Sequence, residues 1–133
     1  MTERIVVVGA ALLDDDHLLA ARRNAPPALA GRWELPGGKV EPGETPEVAL
    51  VRELREELGV EAEVLERLPG EWPLKPPYVL QVWSARLLPG SPAPKPLQDH
   101  DDLRWLRTPD ELWDVDWLDQ DVEAVRALHT AFF

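Results

Sequence analysis

Cysteine does not occur in the chain. Disulfides and thiolate metal sites are therefore excluded, and any metal must be held by oxygen or histidine nitrogen. Cationic side chains are scarce: 14 Lys and Arg stand against 25 Asp and Glu, a formal net charge of −11. Binding a nucleic acid polymer takes clustered Lys and Arg that displace counterions from phosphates, and here the basic residues are spread out. No nucleic acid polymer is expected as a partner. A small anionic ligand is compatible with such a protein if divalent cations bridge it to the carboxylates. Long apolar runs are also missing, none approaching the roughly 20 residues of a membrane span, so no membrane partner is expected. The apolar start runs into Asp14, Asp15 and Asp16, where a signal peptide would need small residues at its cleavage site, and it reads as a strand. A cytoplasmic protein is expected, as monomer or homodimer.

What is present is a globular composition: 44% hydrophobic residues in 133, suited to one domain over residues 1–133. RIVVVGAALL (4–13) is continuous and β-branched, as a buried strand would be, and LLAARR (18–23) returns as its hairpin partner. NAPPALAG (24–31) is a loop, RWELP (32–36) a short extended piece, and GGKVEPGE (37–44) a glycine-rich loop. A helix follows, with Thr45 as N-cap, Pro46 at its first position, Glu47 at the positive end of the dipole and Gly59 as its left-handed stop. Val48, Val51, Leu54 and Leu58 would form its buried stripe. Strands are expected over 60–68, 78–88 and 103–106, a capping box at Thr108 and Glu111, and a last helix from about Asp119 with Val122, Val125, Leu128 and Phe132 inward. This pattern implies an α/β fold with a mixed β-sheet sandwiched between α-helices.

The first helix carries the chemistry. Glu53, Glu56 and Glu57 stand at i, i+3 and i+4 and project together, an arrangement that is repulsive for anions alone. A hard divalent cation turns that repulsion into affinity, because Mg²⁺ and Mn²⁺ prefer oxygen ligands and Mg²⁺ readily shares substrate phosphates. Taken by itself the helix could equally be a solvated charged face balanced by Arg52 and Arg55. The loop ahead of it favours a site: Gly37, Gly38 and Gly43 allow close backbone approach, and the loop feeds the positive end of a helix dipole.

Gly38, Glu44 and the run RELREELGV (52–60) resemble the Nudix box, G-x5-E-x7-R-E-U-x-E-E-x-G-U, in all nine defined positions: Gly38, Glu44, Arg52, Glu53, Leu54, Glu56, Glu57, Gly59 and Val60. Outside the box, AARR (20–23), AGRWELPGGK (30–39), DH (99–100) before LRWL, and ELWDVDWL (111–118) are similar to the MutT-like branch. The resemblance implies a Nudix fold and metal-dependent hydrolysis of a nucleoside triphosphate to monophosphate and pyrophosphate, with Mg²⁺ or Mn²⁺ as cofactor and 8-oxo-dGTP or (d)CTP among the substrates. By position, it implies metal binding by Glu53, Glu56, Glu57 and the Gly37 carbonyl, with a further contact from Asp99. Glu53 would orient or deprotonate the attacking water, while Arg52 and Glu44 brace the loop and helix. Substrate contacts are implied for Arg23 and, in the glycine loop, for Gly38 and Lys39.

Tyr78 and Trp72 could stack on a base, although core packing accounts equally well for either. Asp121 or Asp116 would read a base through an acceptor-only carboxylate, which suits an amino group such as that of cytosine. Two other readings stay open. Tyr78, Pro76 and Pro77 lie where other Nudix branches, acting on dinucleoside polyphosphates or ADP-ribose, carry a tyrosine or a proline. A nucleotide sensor without turnover would be expected to lack box glutamates, and none is lost here.

Overall fold

A computed structural model describes residues 4–133. Strands β1 (Ile5–Asp14) and β2 (His17–Arg23) form an antiparallel hairpin that pairs Leu13 with Leu18. β3 (Trp33–Glu34) lies antiparallel to β2, and β4 (Gly37–Lys39) antiparallel to β1. Helix α1 (Pro46–Leu58) leads through β5 (Ala62–Arg67) and β6 (Trp72–Pro73) to β7 (Tyr78–Leu87), which runs parallel to β1 along its length. β8 (His100–Arg107) returns antiparallel to β2, and α2 (Asp119–Phe132) closes the fold. The result is a mixed, eight-stranded sheet whose central path is β3-β2-β1-β7-β5.

Each face of the sheet carries its own apolar cluster. Val8, Ala10, Leu12 and Leu19 pack with Leu50, Leu54 and Leu58 of α1. On the other face Ala11, Leu18, Leu80, Val82 and Leu106 pack with Ala124, Val125 and Leu128 of α2. β1 and β2 thus give side chains to both layers, which is why their sequences are continuously apolar rather than alternating. The sandwich matches the expected α/β architecture with a mixed sheet. Among the described residues no helix is long and apolar enough to cross a membrane.

Four local expectations are corrected. Gly37–Lys39 is a strand and not loop: its backbone pairs with Val7–Gly9. The buried face of α1 is Ala49, Leu50, Leu54, Glu57 and Leu58, whereas Val48 is 56% exposed. The helix is rotated so that Glu57 faces inward, and apolar periodicity alone misses this because it assigns carboxylates to solvent. Residues 108–114 form turns with no helix; the Glu111 carboxylate accepts from the Arg107 N–H at 2.8 Å, and the Thr108 hydroxyl donates to the Asp16 carbonyl at 2.6 Å. In α2 the buried residues are Asp121, Ala124, Val125 and Leu128, with Val122 and Phe132 only partly covered.

Candidate active site

The site begins with a crowded strand. A Cβ added to Gly37 would lie 1.8 Å from the Val8 carbonyl oxygen, and one added to Gly38 would lie 2.3 Å from the Glu53 carboxylate carbon. β4 is therefore squeezed between β1 and α1, and glycine is what lets the helix approach. The helix itself is set by local signals: the Thr45 hydroxyl accepts from the Val48 N–H at 3.2 Å, and Gly59 takes φ 68° at the end. Leu50, Leu54 and Leu58 tie α1 to the core, so Glu53 and Glu57 are carried on a rigid support beside β4. The Gly37 N–H points to Glu57 Oε2 at 3.4 Å.

Arg52 organises the acids around it. Its Nε and Nη2 donate to both oxygens of Glu44, at 2.8 and 2.9 Å, and Nη2 also donates to the Lys39 carbonyl at 3.0 Å. Nη1 donates to Glu53 at 2.9 Å and to Glu56 at 3.4 Å. One guanidinium thus joins loop, strand and helix, the kind of fork that lysine cannot reproduce. It holds the Glu44 carboxyl down at about 2, helped by the Glu41 N–H. Glu53 is raised above the ordinary carboxylate value: burial outweighs its bond to Arg52, and Glu56 adds repulsion. Glu57 lacks such a partner. Burial, reinforced by Glu34 and Glu53, pushes its carboxyl up to about 9.

Behind Glu57 lies a group that sequence reasoning missed. Glu34 Oε2 accepts from Arg23 Nη1 at 2.8 Å and meets His100 Nε2 at 2.7 Å. His100 Nδ1 faces the Leu97 carbonyl at 3.3 Å and Glu57 Oε2 at 4.0 Å. Glu34, Glu57 and His100 each offer an atom, all within 4.8 Å of one another. Asp99, the acid expected there, is largely exposed and reaches Arg23 Nη2 at 3.7 Å, while its neighbour His100 turns inward. The available signal was a lone acid between Trp33 and Leu35 in an extended piece just ahead of the glycines.

A cavity of about 290 Å³ opens beside these acids, floored by Val7, Val8 and Gly9. Gly37, Gly38, Arg23, Glu34, Lys39, Tyr78 and Asp121 all contribute to its walls. Asp121 is held there by a second strand-like contact: the Trp33 N–H donates to the Asp116 carbonyl at 2.9 Å, and the Leu118 N–H to the Trp33 carbonyl at 2.7 Å. The Leu35 N–H then donates to Asp121 Oδ2 at 2.8 Å. Burial pushes the Asp121 carboxyl up to about 7, opposed by that N–H and reinforced by Glu34. Asp116 does not line the cavity; its exposed carboxylate pairs with Arg32 Nε at 3.3 Å, without hydrogen-bond geometry. Trp72 packs against the α2-side cluster rather than lining the cavity, whereas Tyr78 is in the wall with the Lys39 ammonium 4.8 Å from its ring centre.

The donor set suits a hard divalent cation. Glu53 and Glu57 are carboxylates fixed in a place where burial disfavours their charge, and Glu53 packs directly against the side-chain-free backbone of Gly38. Residues 3–128 match the NUDIX domain. The chain is 45% identical over 124 residues to a Mycobacterium tuberculosis protein named "Putative 8-oxo-dGTP diphosphatase 2", covering 91% of this chain and 84% of that one. It is 56% identical over 62 residues to the Escherichia coli CTP pyrophosphohydrolase, 47% of this chain and 46% of that protein. The solution structure of the E. coli ORF135 protein superposes with a TM-score of 0.78 at 32% identity, over 97% of this chain and 91% of that one. The glutamate helix, the glycine strand it leans on and these relatives lead to one conclusion: the chain belongs to the NUDIX domain family, in its MutT-like branch, and is a pyrophosphohydrolase.

Proposed function

We propose that the chain hydrolyses nucleoside triphosphates to monophosphate and pyrophosphate, and that its substrates are of the 8-oxo-dGTP or (d)CTP type. The observation that carries this reading is one cavity walled by Gly37 and Gly38, next to the glutamate helix, and by the buried carboxyl of Asp121. Nudix hydrolases generally use a divalent metal, and Mg²⁺ or Mn²⁺ fits an all-oxygen donor set of Glu53, Glu56, Glu57 and the Gly37 carbonyl. When bound, the ion lowers the pKa of water and offsets phosphate charge.

The chain's own residues do the rest. Glu53, held by Arg52 and raised by burial, orients the attacking water and takes its proton, a task suited to a carboxylate of elevated basicity. Arg52 and Glu44 position that carboxylate from behind. Arg23 presents a guanidinium at the cavity wall, fixed by Glu34 and the Ala25 carbonyl, to the nucleotide. Asp121 uses Oδ2 for the Leu35 N–H and offers Oδ1 to the base. An acceptor there suits the cytosine amine and also the N–H groups of oxidised guanine. The names of the M. tuberculosis and E. coli relatives support these two substrate types.

The test is kcat/KM for CTP, UTP and 8-oxo-dGTP in the wild type and in Asp121→Ala. CTP and 8-oxo-dGTP are expected to exceed UTP, which lacks the amine, and the variant is expected to narrow that gap by about tenfold or more. Equal efficiency for CTP and UTP in the wild type, or an unchanged ratio in the variant, overturns the assignment of Asp121 as base reader.

A further inference from the structure

The chain uses its two kinds of cation differently. It has eleven arginines and three lysines. Every arginine lies within ion-pair distance of a carboxylate. Among the described residues, none of the three lysines does, although the net charge of −11 leaves carboxylates in excess. Two of the three, Lys39 and Lys75, line the same cavity, the one that carries Asp121 and the glycine strand. Tyr78 links them: its ring lies 4.8 Å from the Lys39 ammonium, and its N–H donates to the Lys75 carbonyl at 3.1 Å. The Leu74 N–H donates back to the Tyr78 carbonyl at 3.1 Å, so the turn bearing Lys75 is fastened to the start of β7. Lys95, the third lysine, is exposed and lies outside this cavity.

We infer that Lys75 is a substrate-contacting residue, its ammonium binding the anionic polyphosphate chain together with that of Lys39. This rests on the nucleotide reading of the cavity and adds to it the residue that recognises phosphate charge away from the glutamates. An arginine already neutralised by a carboxylate brings little net charge to a ligand. An unpaired lysine brings a full point charge and three rotatable donors, which suit phosphate oxygens that differ in position between substrates. In a protein this acidic, such positive charge at the cavity wall offsets long-range repulsion of a triphosphate.

The experiment is calorimetric binding of inorganic tripolyphosphate, with Mg²⁺ and at low salt, to the wild type and to Lys75→Ala, Lys75→Arg and Lys95→Ala. The last removes the same charge outside the cavity. Lys75→Ala is expected to weaken binding about tenfold, the scale of one lost charge-assisted contact, while Lys75→Arg and Lys95→Ala stay within about threefold of the wild type. The loss should shrink as salt is raised. In turnover, Lys75→Ala should raise KM by the same factor for CTP, UTP and 8-oxo-dGTP, with kcat little changed. Equal effects of Lys75→Ala and Lys95→Ala, no measurable tripolyphosphate binding by the wild type, or a KM penalty that differs between bases overturns the inference. A wild type that binds tripolyphosphate but turns over none of the triphosphates overturns the proposed activity and leaves the phosphate site standing.

Discussion

Glu44 and Glu57 differ in burial and in having a cation at bonding distance. Arg52 holds Glu44 at about 2, while burial beside Glu34 and Glu53 pushes Glu57 up to about 9. The two therefore act on stability in opposite pH ranges. Glu44 stabilises the fold above its unfolded value of 4.5, and that contribution is lost as pH falls toward 2. Glu57 is the reverse: the metal-free fold keeps it neutral, so its contribution is complete below 4.5 and is lost as pH rises toward 9. Asp121 behaves like Glu57 but over a lower range, ending near 7. Between roughly pH 7 and 9, then, Glu57 is the group to watch. In EDTA the Tm of the wild type should fall across that interval, and Glu57→Gln, which cannot ionise, should flatten the fall. With metal restored, Glu57→Gln and Glu53→Gln should each lower kcat by about 10²-fold or more. Parallel Tm profiles for the wild type and Glu57→Gln, or turnover near wild type, would show that the buried carboxyl has no such role.

The element that decides the site's geometry is the short strand β4. Its two glycines meet different obstacles. A Cβ on Gly37 would strike the Val8 carbonyl, part of the β1 backbone, at 1.8 Å; a Cβ on Gly38 would strike the end of the Glu53 side chain at 2.3 Å. Backbone cannot move aside, but a glutamate terminus can. Gly38→Ala should therefore keep the fold and displace Glu53, lowering kcat by about 10- to 100-fold with little change in Tm. Gly37→Ala should break the β1–β4 pairing and destabilise by about 3 kcal/mol. Thermal melts with kinetics on both variants check this, and equal loss of Tm in the two would contradict the division. β4 was also the element least legible in the sequence. Glycines carry no strand propensity, and its pairing partner lies about thirty residues earlier. Helix α1, by contrast, was legible at both ends, because Thr45, Pro46 and Gly59 act through bonds and dihedrals within one turn. Its inward face was only half legible, since Leu54 and Leu58 were expected inside but Glu57 was not, and it displaced Val48 to the surface. Glu34 and His100 stand 66 residues apart and meet only through the pairing of β3 and β8 with β2, which no local pattern announces.

At the scale of the whole molecule, the acidic excess would make a bound divalent metal a structural as well as a chemical partner. The chain carries −11 formal charges, and Arg52, which bonds Glu53 and Glu56, is shared with Glu44 and does not reach Glu57, so the repulsion in the cluster is only partly relieved. A divalent cation that binds the folded site and not the unfolded chain raises stability by mass action, about 2.7 kcal/mol at a hundredfold excess over Kd. Its ligands must be deprotonated, so binding competes with protons. With Glu57 pushed up to about 9, that competition extends well above neutrality. Mg²⁺ or Mn²⁺ should therefore raise Tm more at pH 8.5 than at pH 6, and turnover should vanish in excess EDTA and return when the ion is added back. Sodium chloride at matched ionic strength separates this from screening, which acts on all surface charges at both pH values. If salt reproduced the Tm gain, or if the gain from divalent ion were as large at pH 6, the stabilisation would belong to the acidic surface as a whole. Turnover that persisted in excess EDTA would remove the metal from the reaction altogether, leaving the glutamate helix without the chemistry assigned to it.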